Sequence, residues 1–128
     1  MSTVAHRPLV VLVDDEAAIR ETVSFILDME GFEVATAEDG ERGLELVRRL
    51  RPPVVLLDVM LPRLDGFSVC RAIRGDPALS GVRVVMLTAM GQRSDRLRAR
   101  EVGADHFVTK PFDEEELVGI LRSLTGAA

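Results

Sequence analysis

The sequence predicts an α/β fold in which a five-stranded parallel sheet is covered by helices on both faces, the doubly wound, flavodoxin-like arrangement. Short apolar runs alternate along the chain with segments whose apolar residues recur at helical spacing. Two of the runs, residues 9–13 and 54–57, are continuously apolar, as expected of strands buried on both faces. A closed barrel needs eight such repeats, and a chain of 128 residues is too short for that.

The first half of the chain contains three strand candidates, residues 9–13, 33–36 and 54–57. The first helix is expected between the first two strands and ends at Gly31, because glycine often follows a helix C-terminus. Asp39 is the expected N-cap of the second helix, and Pro52 and Pro53 end it. The apolar faces of these two helices comprise Ile19, Val23, Ile26 and Leu27 in the first, and Gly43, Leu46, Val47 and Leu50 in the second.

The second half continues the same alternation. The third helix is expected to begin near Asp65 and to bury Val69, Cys70 and Ile73, before a strand at residues 82–87. Residues 92–101 are polar and rich in arginine, so they indicate a fourth helix only weakly. Residues 107–108 form a short strand, after which Asp113 and Glu116 have the spacing of a capping box. The last helix is expected to bury Leu117, Ile120, Leu121 and Leu124.

Composition limits the class of protein. The chain has the length of one domain, residues 1–128, and an apolar and charged content typical of globular proteins. We expect no membrane segment, because the longest apolar runs are far shorter than the roughly 20 residues that span a bilayer. The N-terminus lacks a secretory signal pattern and Cys70 is the one cysteine, so a cytoplasmic location is expected. A net charge of −5 argues against direct nucleic-acid binding.

Polar side chains directly follow four of the apolar runs. Asp14 and Asp15 follow the first strand, Asp58 the third, Thr88 the fourth, and Thr109 with Lys110 the fifth. Taken singly, each has an ordinary structural explanation, such as a helix cap or a turn. In an open parallel sheet, however, the carboxyl ends of the strands meet at the edge where ligands bind. The joint placement therefore favours a site.

The residue types at this edge favour phosphoryl chemistry. Three carboxylates repel each other unless a cation intervenes, and oxygen ligands in a shallow site suit Mg²⁺. A carboxylate can attack phosphorus to give an aspartyl phosphate, a reaction that mainly requires positioning and neutralised oxygens. Lys110 is the single lysine beside fifteen arginines. Chance is one explanation, since one lysine must fall somewhere, but its position at a strand end favours a need for a compact point charge there.

Four stretches carry a resemblance to a known family: VLVDDE, VVLLDVMLPRLDG, VVMLTA and GADHFVTKPF. They resemble the receiver domains of two-component response regulators, and the resemblance extends over roughly residues 9–124. It implies the strand order 2-1-3-4-5. It also implies that Asp58 is the phosphoacceptor, that Asp15 binds Mg²⁺ directly and Asp14 mainly through water, and that the backbone carbonyl of Met60 is a further ligand.

The resemblance also assigns the remaining site residues. Thr88 corresponds to the hydroxyl residue that turns to hold the phosphoryl group, and Lys110 to the family's lysine. The Lys110–Pro111 peptide bond is expected to be cis. Phe107 occupies the position of the switch aromatic. Met60 and Met90 stand where the family varies its hydrolysis rate, and neither can orient a water by hydrogen bonding, so rapid autodephosphorylation is not expected.

The implied function is that of a phosphoacceptor switch. A sensor histidine kinase or histidine phosphotransfer protein donates the phosphoryl group near the first helix, and the domain catalyses its own phosphorylation and dephosphorylation without being an enzyme for a separate substrate. The face formed by the fourth helix, fifth strand and fifth helix is then expected to be remodelled. A downstream effector, an output domain or a second protomer would read that face.

A phosphorylation-dependent homodimer is one expected outcome of this remodelling. Arg96, Asp105 and Glu116 match in type the ion pairs through which regulators with winged-helix outputs dimerise. His106 and Ile120 depart from that pattern, because an acid and a base are expected there. The arginines of this region are equally compatible with a solvated helix face, and they are Arg93, Arg96, Arg98 and Arg100.

Three alternatives belong to other classes. A phosphatase of the haloacid dehalogenase kind needs a general acid two residues after its nucleophile, where this chain has Met60. A receiver-like binding module without chemistry would be expected to lack site residues, yet all of them are present. A flavodoxin needs a phosphate-binding loop after its first strand, where this chain has carboxylates. Cys70 is interpreted as a packing residue, and His6 has no partners at metal-ligand spacing.

Overall fold

The sheet has five parallel strands: β1 (Leu9–Val13), β2 (Glu33–Ala37), β3 (Val54–Asp58), β4 (Arg83–Ala89) and β5 (His106–Lys110). They lie in the order β2-β1-β3-β4-β5, which confirms the prediction. The computed structural model describes residues 7–89 and 93–126, and the expectations for His6, Met90 and the Arg93 side chain lie outside this part of the chain.

The helices are α1 (Ala17–Met29), α2 (Gly40–Leu50), α3 (Gly66–Arg74), α4 (Arg93–Glu101) and α5 (Glu114–Thr125). Helices α1 and α5 pack on one face of the sheet, and α2, α3 and α4 pack on the other. Alternate residues of β1 divide between the two cores, since Val10 and Leu12 face the first pair of helices and Val11 and Val13 face the other three. None of the helices in the described ranges is both long enough and apolar enough to cross a bilayer.

The register of the strands brings the carboxyl ends of β3, β4 and β5 into line. Asp58 pairs with Leu87, Thr88 with Thr109 and Ala89 with Lys110. The strands β2, β3, β4 and β5 run further toward this edge than the sequence predicts, to Ala37, Asp58, Ala89 and Lys110. The residues expected at four strand ends therefore lie at one edge of the sheet.

Most helix boundaries follow their expected signals. Asp39 and Asp65 are the N-caps of α2 and α3, and their carboxylates accept backbone N–H groups at 2.8 and 3.0 Å. Gly31, with φ +92°, follows the end of α1 as expected. The short 3₁₀ turn at Pro77–Leu79 is not predicted by the sequence.

Two expectations about helices are wrong. The sequence predicts Leu50 on the inner face of α2, but this residue is 39 % exposed, because it lies in the last turn beside the cap residue Arg51. Leu44, which is not among the residues predicted for that face, is buried. Asp113 is the N-cap of α5, but its side chain makes no capping bond, so the capping box with Glu116 does not form. Both residues are exposed, and water can satisfy the N–H groups at that end.

Candidate functional site

Three carboxylates converge at the carboxyl edge of the sheet. Asp14 is fully buried, Asp58 is 6 % exposed, and Asp15 is exposed. One oxygen from each lies within 4.8 Å of the other two. The close approach of three acids predicted from the strand ends is therefore observed, and the donor set is composed of oxygen alone.

Lys110 lies between the two buried carboxylates. Its Nζ donates to Asp14 Oδ2 at 2.8 Å and to Asp58 Oδ2 at 3.2 Å, and it lies 3.8 Å from Glu16 Oε1. The peptide bond to Pro111 is cis, as expected. A single ammonium thus offsets part of the repulsion within the acidic cluster.

Backbone N–H groups hold the remaining oxygens of the two buried acids. Met60 N–H donates to Asp58 Oδ1 at 3.1 Å, and Glu16 N–H donates to Asp14 Oδ1 at 2.9 Å. These bonds orient each carboxylate from the loop that follows its own strand. The Met60 side chain is 74 % exposed, and the role of its backbone carbonyl as a ligand stays a prediction.

Gly66 lets α3 begin close to the site. A Cβ at this position would lie 2.2 Å from the Asp58 carbonyl oxygen, and Gly66 N–H donates to the Val59 carbonyl at 3.0 Å. Only a residue without a side chain fits so near the strand. The sequence shows this glycine after Asp65, but nothing local indicates which backbone it approaches.

Burial and neighbouring charges shift the pKa values of both Asp58 and Lys110. Desolvation raises the pKa of the Asp58 carboxyl, the Lys110 charge opposes this shift, and the Asp14 charge adds to it. For Lys110, burial acts to lower the pKa, but the bond to Asp14 and the charge of Asp58 outweigh it, so the pKa is raised. Lys110 therefore stays protonated at neutral pH, whereas the charged form of Asp58 is disfavoured.

Thr88 lies at the same edge and has a partner that the sequence did not suggest. Thr88 is 2 % exposed, and its hydroxyl donates to Asp95 Oδ2 of α4 at 3.1 Å. The Arg-rich, weakly periodic sequence of α4 gives no sign of which residue faces the sheet. Asp95 could have been noticed only as an acid in the first turn of that helix.

Phe107 is half-buried, and α4 contacts it as well. The guanidinium of Arg96 lies over the Phe107 ring at 5.3 Å, and that of Arg98 lies over Phe67 at 4.6 Å. Two of the α4 arginines, Arg96 and Arg98, thus pack on aromatic rings. Asp105 has partners within the chain, since it accepts from Arg74 at 2.6 Å and from Val84 N–H at 2.8 Å.

Cys70 is a packing residue, as interpreted from the sequence. It is fully buried in α3, and its thiol donates to the Val102 carbonyl at 3.4 Å. Burial raises the pKa of the thiol to about 11, so it is protonated at neutral pH.

Comparison with known proteins identifies the family of this chain. Residues 10–122 match the model of the response regulator receiver domain. The chain is 43 % identical over 117 residues to the DNA-binding dual master transcriptional regulator RpaA of Synechocystis, covering 91 % of this chain and 48 % of RpaA. It is 46 % identical over 123 residues to the DNA-binding response regulator MtrA of Mycobacterium tuberculosis, covering 96 % and 52 %. The chain thus spans about half the length of these relatives.

Solved structures of other proteins have the same fold as this chain. The chemotaxis protein CheY4 of Vibrio cholerae superposes with a TM-score of 0.86 at 32 % identity, covering 93 % of this chain and 99 % of that one. The receiver domain of the sensor histidine kinase PA1611 of Pseudomonas aeruginosa PAO1, which has a magnesium ion coordinated in its active-site cleft, gives 0.87 at 30 % identity, covering 94 % and 99 %. This chain therefore belongs to the response regulator receiver domain family.

Proposed function

We propose that this domain is a phosphoacceptor switch that takes a phosphoryl group onto Asp58. The observation that carries the proposal is the position of Asp58, which lies beside two further carboxylates and within 3.2 Å of the Lys110 ammonium. This arrangement combines a nucleophilic carboxylate with groups able to neutralise phosphoryl oxygens. Residues 1–128 are proposed to form this one domain.

The acidic cluster fits a magnesium ion. Asp14, Asp15 and Asp58 offer oxygens close enough to share one cation, and the Met60 carbonyl is the proposed additional ligand. Hard oxygen donors on a partly open site are the set that Mg²⁺ prefers. When bound, Mg²⁺ would neutralise charge on the phosphoryl oxygens. The magnesium in the PA1611 receiver domain supports this assignment.

The chemical step uses side chains of this chain. An oxygen of Asp58 attacks the phosphorus of a phosphohistidine, the P–N bond breaks, and the imidazole leaves. Lys110 and Thr88 then contact the phosphoryl oxygens, and Phe107 turns inward as Thr88 moves. Hydrolysis of the aspartyl phosphate resets the domain, which modifies its own aspartate and does not turn over a separate substrate.

The partners follow from this role. The phosphoryl donor is a sensor histidine kinase or a histidine phosphotransfer protein that docks near α1, where Phe25 and Met29 are 67 % and 70 % exposed. Because the chain covers about half of two DNA-binding relatives, we propose an effector or output domain as the reader of the switch. With its charge of −5, this domain is not expected to touch nucleic acid itself. We place it in the cytoplasm.

A phosphorylation-dependent homodimer is proposed as a second way in which the switch is read. It would use Arg96, Asp105 and Glu116 on the face formed by α4, β5 and α5. In the unphosphorylated chain, Arg96 stacks on Phe107 and Asp105 pairs with Arg74, so dimer formation would have to compete with these contacts.

The test is phosphorylation by a small-molecule donor. The protein is incubated with acetyl phosphate and Mg²⁺, and its intact mass is measured beside Asp58→Asn. The matched control is Asp28→Asn, because Asp28 pairs with Arg7 outside the acidic cluster. We expect the wild-type protein and the control to gain one phosphoryl group only with Mg²⁺, and Asp58→Asn to gain none. Equal gain in Asp58→Asn, or no gain from acetyl phosphate and from a phosphohistidine donor, would contradict the proposal.

The lifetime of the phosphoryl group is a separate expectation. Neither Met60 nor Met90 can hydrogen-bond an attacking water, so the intact-mass signal is expected to persist for longer than seconds after the donor is removed. Complete loss within seconds would show that another group orients the water.

A further inference from the structure

The Thr88 hydroxyl is already engaged in the unphosphorylated domain. It is buried, and it donates to Asp95 Oδ2 at 3.1 Å. A threonine hydroxyl has one proton, so it can donate to one acceptor at a time. If Thr88 is to donate to a phosphoryl oxygen, as the proposed function requires, it must first leave Asp95.

The same turn of α4 contacts the second switch side chain. Arg96 follows Asp95 directly, and its guanidinium lies over the ring of Phe107. Thr88 and Phe107 lie on the neighbouring strands β4 and β5. Two consecutive residues of one helix thus hold the two side chains that the switch is expected to move.

We propose that Asp95 is a positioning residue that holds the Thr88 hydroxyl away from the phosphoryl site. The free energy needed to break this hydrogen bond then opposes the switch to the active state. The inference rests on the proposed function. A hydrogen bond to a charged acceptor is stronger than a neutral one, so its loss has to be offset by the contacts that Thr88 gains. Asp95 would therefore set how strongly a phosphoryl group at Asp58 shifts the domain to its active state.

The first measurement is the affinity of the domain for beryllium fluoride, a phosphoryl mimic, in the presence of Mg²⁺. Asp95→Ala should bind on the order of tenfold more tightly than wild type, because the hydroxyl no longer has to leave a charged acceptor. Asp95→Asn keeps the shape of the side chain and a neutral acceptor, so its affinity should lie between those of wild type and Asp95→Ala. Glu101→Ala removes the same charge from an exposed position of α4 and should bind as wild type does.

A double-mutant cycle separates the hydrogen bond from general electrostatics. Valine has the shape of threonine without the hydroxyl, so in a Thr88→Val background the Asp95→Ala change should have little effect. If it tightens binding equally in both backgrounds, Asp95 acts through its charge and the proposal is wrong. Unchanged affinity in Asp95→Ala with wild-type Thr88 also overturns it.

A second readout needs no ligand. The methyl resonance of Thr88, followed by NMR in the free protein, should move in Asp95→Ala toward its position in the beryllium fluoride complex of the wild-type protein. A methyl signal that stays at the wild-type position contradicts the proposal. Wild-type protein that binds no beryllium fluoride would overturn the proposed function and this inference with it, whereas normal wild-type binding with an unaltered Asp95→Ala overturns this inference alone.

Discussion

At the scale of single residues, Asp58 carries an unfavourable charge. Its pKa is higher in the folded domain than the 3.8 of an unperturbed aspartate, so ionisation above the folded pKa lowers the stability. Asp58→Asn should therefore raise the free energy of unfolding at pH 7 by about 1 kcal/mol, within the range common for stabilising substitutions. Urea denaturation without Mg²⁺ at several pH values measures this. The gain should shrink as the pH falls through the folded pKa, and a stability loss at pH 7 would contradict it.

The charge of Lys110 affects the ionisation of Asp58, and substitutions of the lysine test this coupling. Because its ammonium lowers the pKa of Asp58, Lys110→Met should raise that pKa further, and Lys110→Arg should raise it less. Carboxyl carbon NMR of Asp58 across a pH series gives both values. An unshifted Asp58 titration in Lys110→Met would show that the two groups are not coupled.

At the scale of helices and strands, the caps of α3 and α5 form a matched pair. The Asp65 carboxylate accepts from Ser68 N–H and Oγ, both at 3.0 Å, whereas Asp113 makes no side-chain capping bond. Asp65→Ala should lower the free energy of unfolding by about 1 kcal/mol, and Asp113→Ala by less than about 0.5 kcal/mol. Thermal or urea unfolding tests this, and equal losses would contradict the assignment of caps.

The Asp65 effect should also depend on pH. Burial acts to raise the pKa of Asp65, but the bonds from Ser68 outweigh it and the pKa is lowered. The contribution of Asp65 is therefore complete above the unfolded pKa and is lost as the pH falls through the lower folded value. The stability difference between wild type and Asp65→Ala should accordingly diminish in acid.

Sequence patterns predict some of these elements better than others. The caps at Asp39 and Asp65 each precede an apolar helix face. The capping residue and the buried face therefore indicate the same start for each helix. Leu50 has the right spacing but lies at the end of its helix, where packing and not periodicity decides exposure. In α4, Leu97 is 56 % exposed and Ala99 is buried, so the larger apolar residue points away from the sheet. Periodicity alone cannot find the inner face of such a helix.

At the scale of the whole molecule, Cys70 reports on global unfolding. The thiol is fully buried with a pKa of about 11 and connects α3 to the residue after α4. Alkylation at pH 8 should be slow in native protein and rapid in urea, with a native rate limited by unfolding. In a Ser80→Cys variant the added, exposed site should react at once. Fast native labelling of Cys70 would indicate local opening of the α3–α4 region.

The convergence of the site was predictable because it depends only on topology. In a parallel sheet, Asp14, Asp58 and Lys110 must end at one edge once their strands are recognised. The contacts of Asp95 and Gly66 depend on how α4 and α3 sit on the sheet. That placement arises from packing between distant segments, and a single sequence does not encode it in any local pattern.

The position of Lys110 also has a spectroscopic consequence. It is the one lysine in the chain, and its ammonium contacts both Asp14 and Asp58. Protein grown on isotope-labelled lysine would give a single side-chain ammonium resonance, and that resonance would come from the centre of the site. Its shift on addition of Mg²⁺ or a phosphoryl donor would follow occupancy of the site directly, without assignment of any other signal.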